Sequence, residues 1–313
     1  MSQRALVTGA AGFTGQHLTK LLVSRGWEVH GTVRSTPSGV EGVHERSVRL
    51  DDWETLAALC RDVRPDVVFH LAAVVDTVET PDLGALFRSN VEGTAALLAA
   101  VQAGGTTERV VVASSAFAYG RVAEQPGSIA ETVPLRPVTP YGASKAAAEA
   151  IALQWWRQTG IDLIISRGFQ HTGPGHVGAY ALADWARQLA DGVDVLEVGN
   201  LDVVRDYLDV RDAASALLAV ALEGKPGEAY NVASGVPRTM RSLLDGLLAA
   251  FASDAEVRPT DLRMRSVDQP VFVANVSKLR GQTEWTPQHT IGDTLRDLAA
   301  TSRESAATRN VTK

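Results

Sequence analysis

The glycine-rich stretch at residues 8–15, TGAAGFTG, constrains the fold more than any other part of the chain. It follows a short apolar run at residues 5–7, typical of a buried strand, and it precedes residues 16–23, whose apolar spacing predicts an amphipathic helix. A strand, a glycine-rich turn and a helix form the phosphate-binding corner of dinucleotide folds, because N–H groups at the helix N-terminus attract an anionic pyrophosphate. The spacing is G-x-x-G-x-x-G, and an ordinary glycine-rich turn is the alternative interpretation.

Runs of β-branched residues alternate with Ala- and Leu-rich stretches through the first half of the chain. The strands that this pattern predicts after the first are residues 28–34, 46–50, 66–70, 109–113 and 161–166. The helices that it predicts lie near residues 53–62, 84–103 and 142–158. Such alternation predicts an α/β fold, a Rossmann-type doubly wound parallel sheet with helices on both faces.

After about residue 170 the pattern loosens, with more glycine, proline and charge. We expect helices at residues 180–190, 213–222 and 239–251, the second of them opened by Asp212 as its N-cap. The domains we predict are a cofactor-binding domain at residues 1–170, a smaller C-terminal substrate-binding lobe interleaved with it at residues 171–300, and a frayed tail at residues 301–313.

Composition excludes several classes of function. The net charge of −6 argues against non-specific nucleic-acid binding. The single cysteine, Cys60, excludes an internal disulfide and a cysteine-based metal site, and we expect no metal site of another kind. No run of about 18 apolar residues predicts a membrane span, and the first strand begins too early to leave room for a signal peptide. The expected location is the cytoplasm.

The end of the second predicted strand bears on the choice of nicotinamide cofactor. NAD sites usually place an acid here to accept the ribose hydroxyl. Arg34 and Ser35 occupy this place, and a guanidinium and a hydroxyl suit a 2′-phosphate. We therefore predict NADP(H), with NAD(H) as the second choice, and a solvated surface arginine is the alternative interpretation of Arg34.

Asp51 and Asp52 follow the third predicted strand. An acid at the carboxyl end of a strand in this fold can accept a hydrogen bond from the adenine amino group. The alternative is an N-cap for the helix that starts at Trp53, and Asp52 fits that position.

Tyr141 and Lys145 are four residues apart at the start of a predicted helix, so their side chains share one face. A nearby ammonium lowers a tyrosine pKa, and a phenol tuned in this way can exchange a proton with an alcohol or sugar oxygen. Alone, the pair is only weak evidence for a catalytic site. In a chain that also has a glycine-rich phosphate-binding turn, it is strong evidence for one.

From residue 8 to about residue 298, the chain resembles the extended short-chain dehydrogenase/reductase family. The motifs that carry the resemblance are the three glycines of the first turn, HLAA at residues 70–73, NVEGT at 90–94, SSAFAYG at 114–120, and Tyr141 with Lys145. The resemblance implies that Ser115 hydrogen-bonds the reacting oxygen, that residues 70–73 line the nicotinamide ribose mainly through their backbone, and that Asn90 supports the fold. The predicted cofactor-binding residues are Gly9, Ala11, Gly12, Phe13, Thr14, Gly15, Arg34, Ser35, Asp51, Asp52, Leu71, Ala72, Ala73, Tyr141, Lys145 and Gly168.

The second half resembles the nucleotide-sugar enzymes of this family, in particular GDP-4-keto-6-deoxymannose reductases and GDP-mannose 4,6-dehydratases. RGFQHTGPG at residues 167–175 and the segment at residues 198–212 carry this likeness. The resemblance implies that Arg205 and Arg265 bind the substrate diphosphate, with a surface ion pair as the alternative for each. The predicted substrate-binding residues are Ser115, Gln170 (an asparagine in the family), His171 (a structural histidine as the alternative), Arg205 and Arg265.

One departure from the family separates the activities. The dehydratases carry an acid two residues before the Tyr-Gly pair, and this chain has Phe117 there, so dehydration lacks a base. We therefore predict an NADPH-dependent reductase of a nucleotide-linked 4-keto-6-deoxyhexose. A nucleotide-sugar 4-epimerase that retains its cofactor, a non-catalytic NADP-binding protein and a reductase of a non-sugar carbonyl are the alternatives.

The helices near residues 84–103 and 142–158 are rich in alanine and leucine on more than one face. Extended relatives dimerise by packing such helices into a four-helix bundle, so the resemblance implies a homodimer. The nucleotide base, the hexose and the product configuration at C4 do not follow from the sequence.

Overall fold

The computed structural model describes residues 2–75, 82–122, 127–260, 263 and 269–311. The strands of this part of the chain are β1 (Arg4–Thr8), β2 (Glu28–Val33), β3 (Val43–Ser47), β4 (Val67–His70), β5 (Arg109–Ser115), β6 (Asp162–Gly168), β7 (Gln170–Thr172), β8 (Val195–Val198), β9 (Val204–Arg205), β10 (Tyr207–Asp209), β11 (Ala229–Val232), β12 (Arg238–Thr239), β13 (Glu256–Pro259) and β14 (Val271–Phe272).

The helices are α1 (Phe13–Ser24), α2 (Trp53–Val63), α3 (Leu83–Phe87), α4 (Gly93–Gly104), α5 (Pro140–Thr159), α6 (Ala181–Ala190), α7 (Val210–Glu223), α8 (Met240–Phe251), α9 (Ser277–Thr283) and α10 (Ile291–Val311). A π-helical turn (Arg88–Glu92) joins α3 to α4, and a 3-10 turn (Ala116–Tyr119) follows β5.

The predicted α/β fold is confirmed. Within the described residues, seven strands form one sheet in the order β11-β6-β5-β4-β1-β2-β3, and every neighbouring pair is parallel. Helices α1 and α7 cover one face, with Leu18 and Leu217 in that core, and α2, α4 and α5 cover the other, with Leu56 and Leu98. Central strands buried on both faces explain the continuous apolar runs in the sequence. The carboxyl ends of β1, β4, β5 and β6 therefore lie along one edge of the sheet.

The second half of the chain contributes to both parts of the molecule. Strand β11 pairs with β6 in the large sheet, and α7 packs against α1. A separate core joins α6, α8 and α10 through side chains such as Leu182, Trp185, Leu244 and Leu298. The small sheet β12-β9-β14, which we call the mini-sheet, and the pair β10-β7 connect this lobe to the large sheet.

The structure corrects the predicted third strand, which is Val43–Ser47 and not residues 46–50. This strand lies at the edge of the sheet and is largely exposed. It therefore lacks the apolar run that marks a buried strand in a sequence.

The prediction that Asp212 caps a helix is wrong. Helix α7 begins at Val210, and the carboxylate of Asp209 accepts the hydrogen bond from the Arg211 backbone N–H at 2.8 Å. Asp212 lies in the first turn of α7, is buried, and accepts backbone hydrogen bonds from Gln288 at 3.0 Å and His289 at 2.9 Å.

The expectation of a frayed tail is also wrong for residues 301–311. They continue α10, and Ala306 is buried at 5% exposure. The packing that buries Ala306 keeps the segment helical, although its sequence has only a weak apolar pattern. No described helix is both long and apolar enough to span a membrane.

Candidate active site

The glycine-rich turn joins β1 to α1 at the carboxyl edge of the sheet. Gly9 has a φ of +74°, and a Cβ on Gly15 would lie 2.1 Å from the Gly9 carbonyl oxygen, so both positions require glycine. Gly12 is the N-cap of α1, and the first turn of that helix has no acidic side chain. Its N–H groups and helix dipole therefore remain available to an anion. Ala11, Phe13 and Thr14 lie in the same turn and are partly exposed.

The segment after β4 is held against this turn by a buried histidine. The Nδ1 atom of His70 lies 2.8 Å from Thr8 Oγ1, and its Nε2 atom lies 3.0 Å from Thr94 Oγ1. Burial lowers the pKa of His70 to about 3, so the ring is neutral. The backbone N–H of Ala72 donates to Thr8 Oγ1 at 3.2 Å. The structure thus brings Leu71, Ala72 and Ala73 to the glycine-rich turn.

Arg34 and Ser35 follow directly after β2 and are exposed. Strand β2 lies beside β1, and the Ala10 N–H donates to the Thr32 carbonyl oxygen at 3.1 Å, so the two strand ends are adjacent. Within the described residues, the structure shows no hydrogen bond or ion pair to the Arg34 guanidinium. In dinucleotide folds an arginine near this strand end accommodates the 2′-phosphate of NADP.

The two acids after β3 differ in their contacts. The carboxylate of Asp52 caps α2 by accepting from Thr55 N at 3.1 Å, which is the alternative that the sequence left open. Asp51 accepts two hydrogen bonds from Arg49, at 2.9 and 2.7 Å. An adenine contact by Asp51 would therefore compete with this exposed ion pair.

Strand β5 and helix α5 bring together the three residues predicted to be catalytic. The Ser115 hydroxyl lies close enough to the Tyr141 phenol to lower its pKa. The Phe117 N–H donates to Ser115 Oγ at 3.2 Å, which fixes the serine at the end of its strand. The Lys145 ammonium donates to the Ala113 carbonyl oxygen at 2.6 Å.

The expected fall of the Tyr141 pKa is contradicted. Burial raises the pKa of Tyr141 to about 12, although the nearby Ser115 hydroxyl acts in the opposite direction. Burial lowers the pKa of Lys145 to about 8, and the Glu149 carboxylate raises it in part. Burial of the phenol therefore dominates over any effect of the lysine, whose ammonium is directed to the Ala113 carbonyl. Tyr141 holds its proton at neutral pH.

Asn90 in the π-helical turn has the supporting role that the resemblance implies. Its side chain donates to the Val74 carbonyl oxygen at 2.9 Å and accepts from the Val74 N–H at 2.8 Å. It also donates to Ser144 Oγ at 3.0 Å, next to Lys145 in α5. The amide therefore links the segment after β4 to α5, the helix that carries Tyr141 and Lys145.

Sequence reasoning missed a buried network behind Lys145. Glu149 lies one helical turn after the lysine and is 2% exposed. It accepts hydrogen bonds from Arg167 Nη2 at 2.8 Å and Nε at 3.1 Å, and one from the Ser114 hydroxyl. Arg167 Nη1 donates to the Tyr119 hydroxyl at 3.0 Å. The i, i+4 spacing of Lys145 and Glu149 was the only signal in the sequence.

Gln170 and His171 form β7, directly after the strand that ends at Gly168. The Oε1 atom of Gln170 and the Nδ1 atom of His171 are buried and have no hydrogen-bond partner among the described residues. Burial lowers the pKa of His171 to about 4, so it is neutral at pH 7. Unpaired buried polar atoms suggest a ligand contact, because leaving them unpaired destabilises the fold.

Arg205 lies on β9 in the mini-sheet. Its Nη1 atom donates to the carbonyl oxygens of Val204 at 2.8 Å and Gln269 at 2.7 Å. The Gln269 side chain donates to the Gly120 carbonyl oxygen at 2.6 Å, which ties the mini-sheet to the end of the 3-10 turn after β5. Arg265, the second predicted diphosphate ligand, lies outside the described residues.

A family model described as the NAD dependent epimerase/dehydratase family matches residues 5–233. The chain belongs to this family. GDP-6-deoxy-D-mannose reductase of Pseudomonas aeruginosa is 35% identical over 95% of this chain and 96% of its own length. A probable dTDP-glucose 4,6-dehydratase of Sinorhizobium fredii is 32% identical over 73% of this chain and 71% of its own length. The solved structure of RMD from Pseudomonas aeruginosa complexed with NADPH superimposes with a TM-score of 0.84 at 31% identity, covering 97% of this chain and 100% of that one.

These findings confirm the resemblance to the nucleotide-sugar enzymes of the epimerase/dehydratase family. The departure at Phe117 is visible in the site. Its ring centroid lies 6.1 Å from that of Tyr141, edge to face, and the side chain is 37% exposed. An apolar ring thus stands beside the candidate proton donor, at the position where the dehydratases carry a carboxylate. Within the described residues, no group of three or more His, Cys, Asp and Glu side chains is arranged to hold a metal ion.

Proposed function

We propose that this chain is an NADPH-dependent reductase that converts the C4 carbonyl of a nucleotide-linked 4-keto-6-deoxyhexose to an alcohol. The observation that carries the proposal is the convergence of Ser115, Tyr141 and Lys145 beside the glycine-rich turn, with Phe117 in place of an acid. Similarity to a GDP-6-deoxy-D-mannose reductase supports GDP as the nucleotide and a 6-deoxyhexose as the sugar.

The residues present fit a dinucleotide phosphate. The turn at residues 9–15 has no room for a Cβ at Gly15, and the first turn of α1 has no acidic side chain. The strand end beside it carries Arg34, whose guanidinium has no partner among the described residues. The glycine-rich turn would hold the pyrophosphate, Arg34 and Ser35 the 2′-phosphate, and Lys145 the nicotinamide ribose. When bound, NADPH supplies the hydride that forms the new C–H bond at C4.

Tyr141 supplies the proton that completes the reduction. Because its pKa is raised to about 12, the phenol is protonated at neutral pH and can donate to the carbonyl oxygen as that oxygen gains charge. The Ser115 hydroxyl, which lies near the Tyr141 phenol, would donate to the same oxygen. The Lys145 cation stabilises the phenolate that remains, which water then reprotonates.

Arg34→Gln should raise the KM for NADPH by about 10- to 100-fold and leave the KM for NADH almost unchanged, because a charge-assisted hydrogen bond to the 2′-phosphate is lost. Steady-state kinetics with each cofactor measures this. Arg25→Gln is the matched control, since Arg25 is exposed at the far end of α1. An equal rise of both KM values would contradict the assignment of Arg34.

A nucleotide-sugar 4-epimerase is the second candidate, since the same serine, tyrosine and lysine could serve it. The two are separated by incubating the purified protein with GDP-mannose and with UDP-glucose, without added cofactor, and then with the keto sugar and NADPH. We expect no change of the hexoses and stoichiometric oxidation of NADPH by the keto sugar. Conversion of a hexose without cofactor supports the epimerase, and no turnover in any arm supports a non-catalytic NADP-binding protein.

A homodimer is part of the proposal. Leu83 and Phe87 of α3 are exposed by 53% and 37%, and α3 packs beside α5. This apolar surface beside the Ala-rich α5 suits a bundle with the same helices of a second copy. Light scattering should give twice the mass of one chain, and the mass of a single chain would reject the dimer.

A further inference from the structure

Two arginines lie directly opposite each other in the mini-sheet. Strands β9 and β12 are antiparallel, and their register pairs Arg205 with Arg238. Side chains at directly opposed positions lie on the same face of an antiparallel ladder, about 5 Å apart at their Cβ atoms. Two guanidinium groups on one face of the ladder can donate to the same anion.

Among the described residues, the Arg238 side chain lacks the partners that other arginines of this half have. Its Nε atom is buried, and within the described residues the structure shows no hydrogen bond or ion pair to its guanidinium. A buried donor without an acceptor destabilises the fold unless a ligand supplies one. By contrast, carboxylates pair with other arginines nearby: Arg241 with Asp202, Arg258 with Glu256 and Arg263 with Asp184.

The arginine pair belongs to the substrate side of the candidate active site. Arg205 donates to the Gln269 carbonyl oxygen at 2.7 Å. The Gln269 side chain bonds the Gly120 carbonyl oxygen at 2.6 Å and the Val122 N–H at 3.0 Å. Gly120 immediately follows the 3-10 turn that begins after Ser115. The mini-sheet that carries both arginines is thus tied through Gln269 to the residues that follow the 3-10 turn after Ser115.

We propose that Arg238 and Arg205 together bind the diphosphate of a nucleoside diphosphate-linked substrate, an inference that rests on the proposed reductase. Two guanidinium groups provide enough donors for both phosphates, and the planar fork of arginine matches phosphate oxygens. Sequence analysis did not single out Arg238, because only the cross-strand register places it opposite Arg205. The site binds the part of the substrate that does not react, so we expect the loss of Arg238 to appear in the affinity for the nucleoside diphosphate.

The test is calorimetric binding of GDP, UDP and dTDP to the full chain and to Arg238→Gln. We expect the preferred nucleoside diphosphate to bind the variant about 10- to 100-fold more weakly, because charge-assisted hydrogen bonds are lost, while the Kd for NADPH stays within about twofold. The corresponding nucleoside monophosphate should lose less affinity. Arg258→Gln, which removes an exposed arginine from β13, is the matched control and should bind as the wild type does.

Equal affinity of wild type and Arg238→Gln for the nucleoside diphosphate overturns the inference, as does a wild type that binds none of the three. Should Arg238→Gln fail to fold, Arg238→Lys retains the charge without the fork and is expected to weaken binding by about 3- to 10-fold. The binding assay does not depend on turnover. If the wild type reduces the keto sugar and Arg238→Gln or Arg238→Lys binds the nucleoside diphosphate as the wild type does, this inference alone is rejected. If the variants lose nucleoside diphosphate binding but the wild type has no reductase activity, the proposed function alone is rejected.

Discussion

Tyr141→Phe should lower kcat by about 100- to 10,000-fold, because the phenol is the proton donor in the proposed reaction. The Phe variant keeps the ring and its contact with Phe117, so the Kd for NADPH and the melting temperature should change little. Single-turnover oxidation of NADPH by the keto sugar measures the chemical step directly.

Tyr230→Phe is the matched control for this substitution. It also removes a buried tyrosine hydroxyl, one that bonds Gln282 and the Lys225 N–H, away from the candidate site. We expect it to lower stability and leave kcat nearly unchanged. If Tyr141→Phe kept more than half of the wild-type kcat, the assignment of the proton donor would be wrong.

Glu149→Gln should move the alkaline limb of the pH profile of kcat/KM to lower pH. The Glu149 carboxylate raises the pKa of Lys145, which burial otherwise lowers, so its loss lowers that pKa further below about 8. The cationic lysine that the mechanism requires then disappears at a lower pH. Two other titratable groups bear on this profile: Tyr141, one helical turn before Lys145, stays protonated, and His70, whose charge interaction is with Lys145, has a pKa of about 3 and is neutral.

The same substitution also removes the charge partner of Arg167, whose side chain is 8% exposed. Breaking a buried ion pair at one side typically costs about 3–5 kcal/mol, and the retained amide oxygen of Gln places the expected loss toward the lower value. Asp162→Asn is the control, since it breaks the ion pair with Arg109 between β5 and β6 at the far end of the same strands. It should lower the melting temperature without moving the pH limb. A Glu149→Gln profile identical to that of the wild type would reduce Glu149 to a purely structural role.

Features set by local spacing could be predicted from the sequence. The glycine-rich turn requires small residues within seven positions, and Tyr141 and Lys145 meet because four residues make about one helical turn. The alternation of strands and helices predicted the parallel sheet, because the apolar periods of a strand and of a helix can both be read from a short stretch of sequence. Even the N-cap at Asp52 follows from its place before Trp53.

Features set by contacts between distant segments could not be predicted. The ion pair of Glu149 with Arg167 joins a helix to a strand 18 residues later, and the sequence does not show that both ends are buried. The place of Asp212 before an Ala-rich stretch predicts a cap. The backbone groups that it binds instead are 76 and 77 residues away, which the local sequence does not show. The raised pKa of Tyr141 likewise depends on burial, which the Tyr-Lys spacing does not report.

The most direct test of the proposed reaction is isotope transfer from the cofactor to the sugar. The protein is incubated with NADPH carrying deuterium at C4 of the nicotinamide, using each of the two stereospecifically labelled forms, and with GDP-4-keto-6-deoxymannose. Mass spectrometry and NMR of the product should show one deuterium at C4 of the hexose from one of the two forms. A product without deuterium from either form, or no consumption of the keto sugar, would contradict the account.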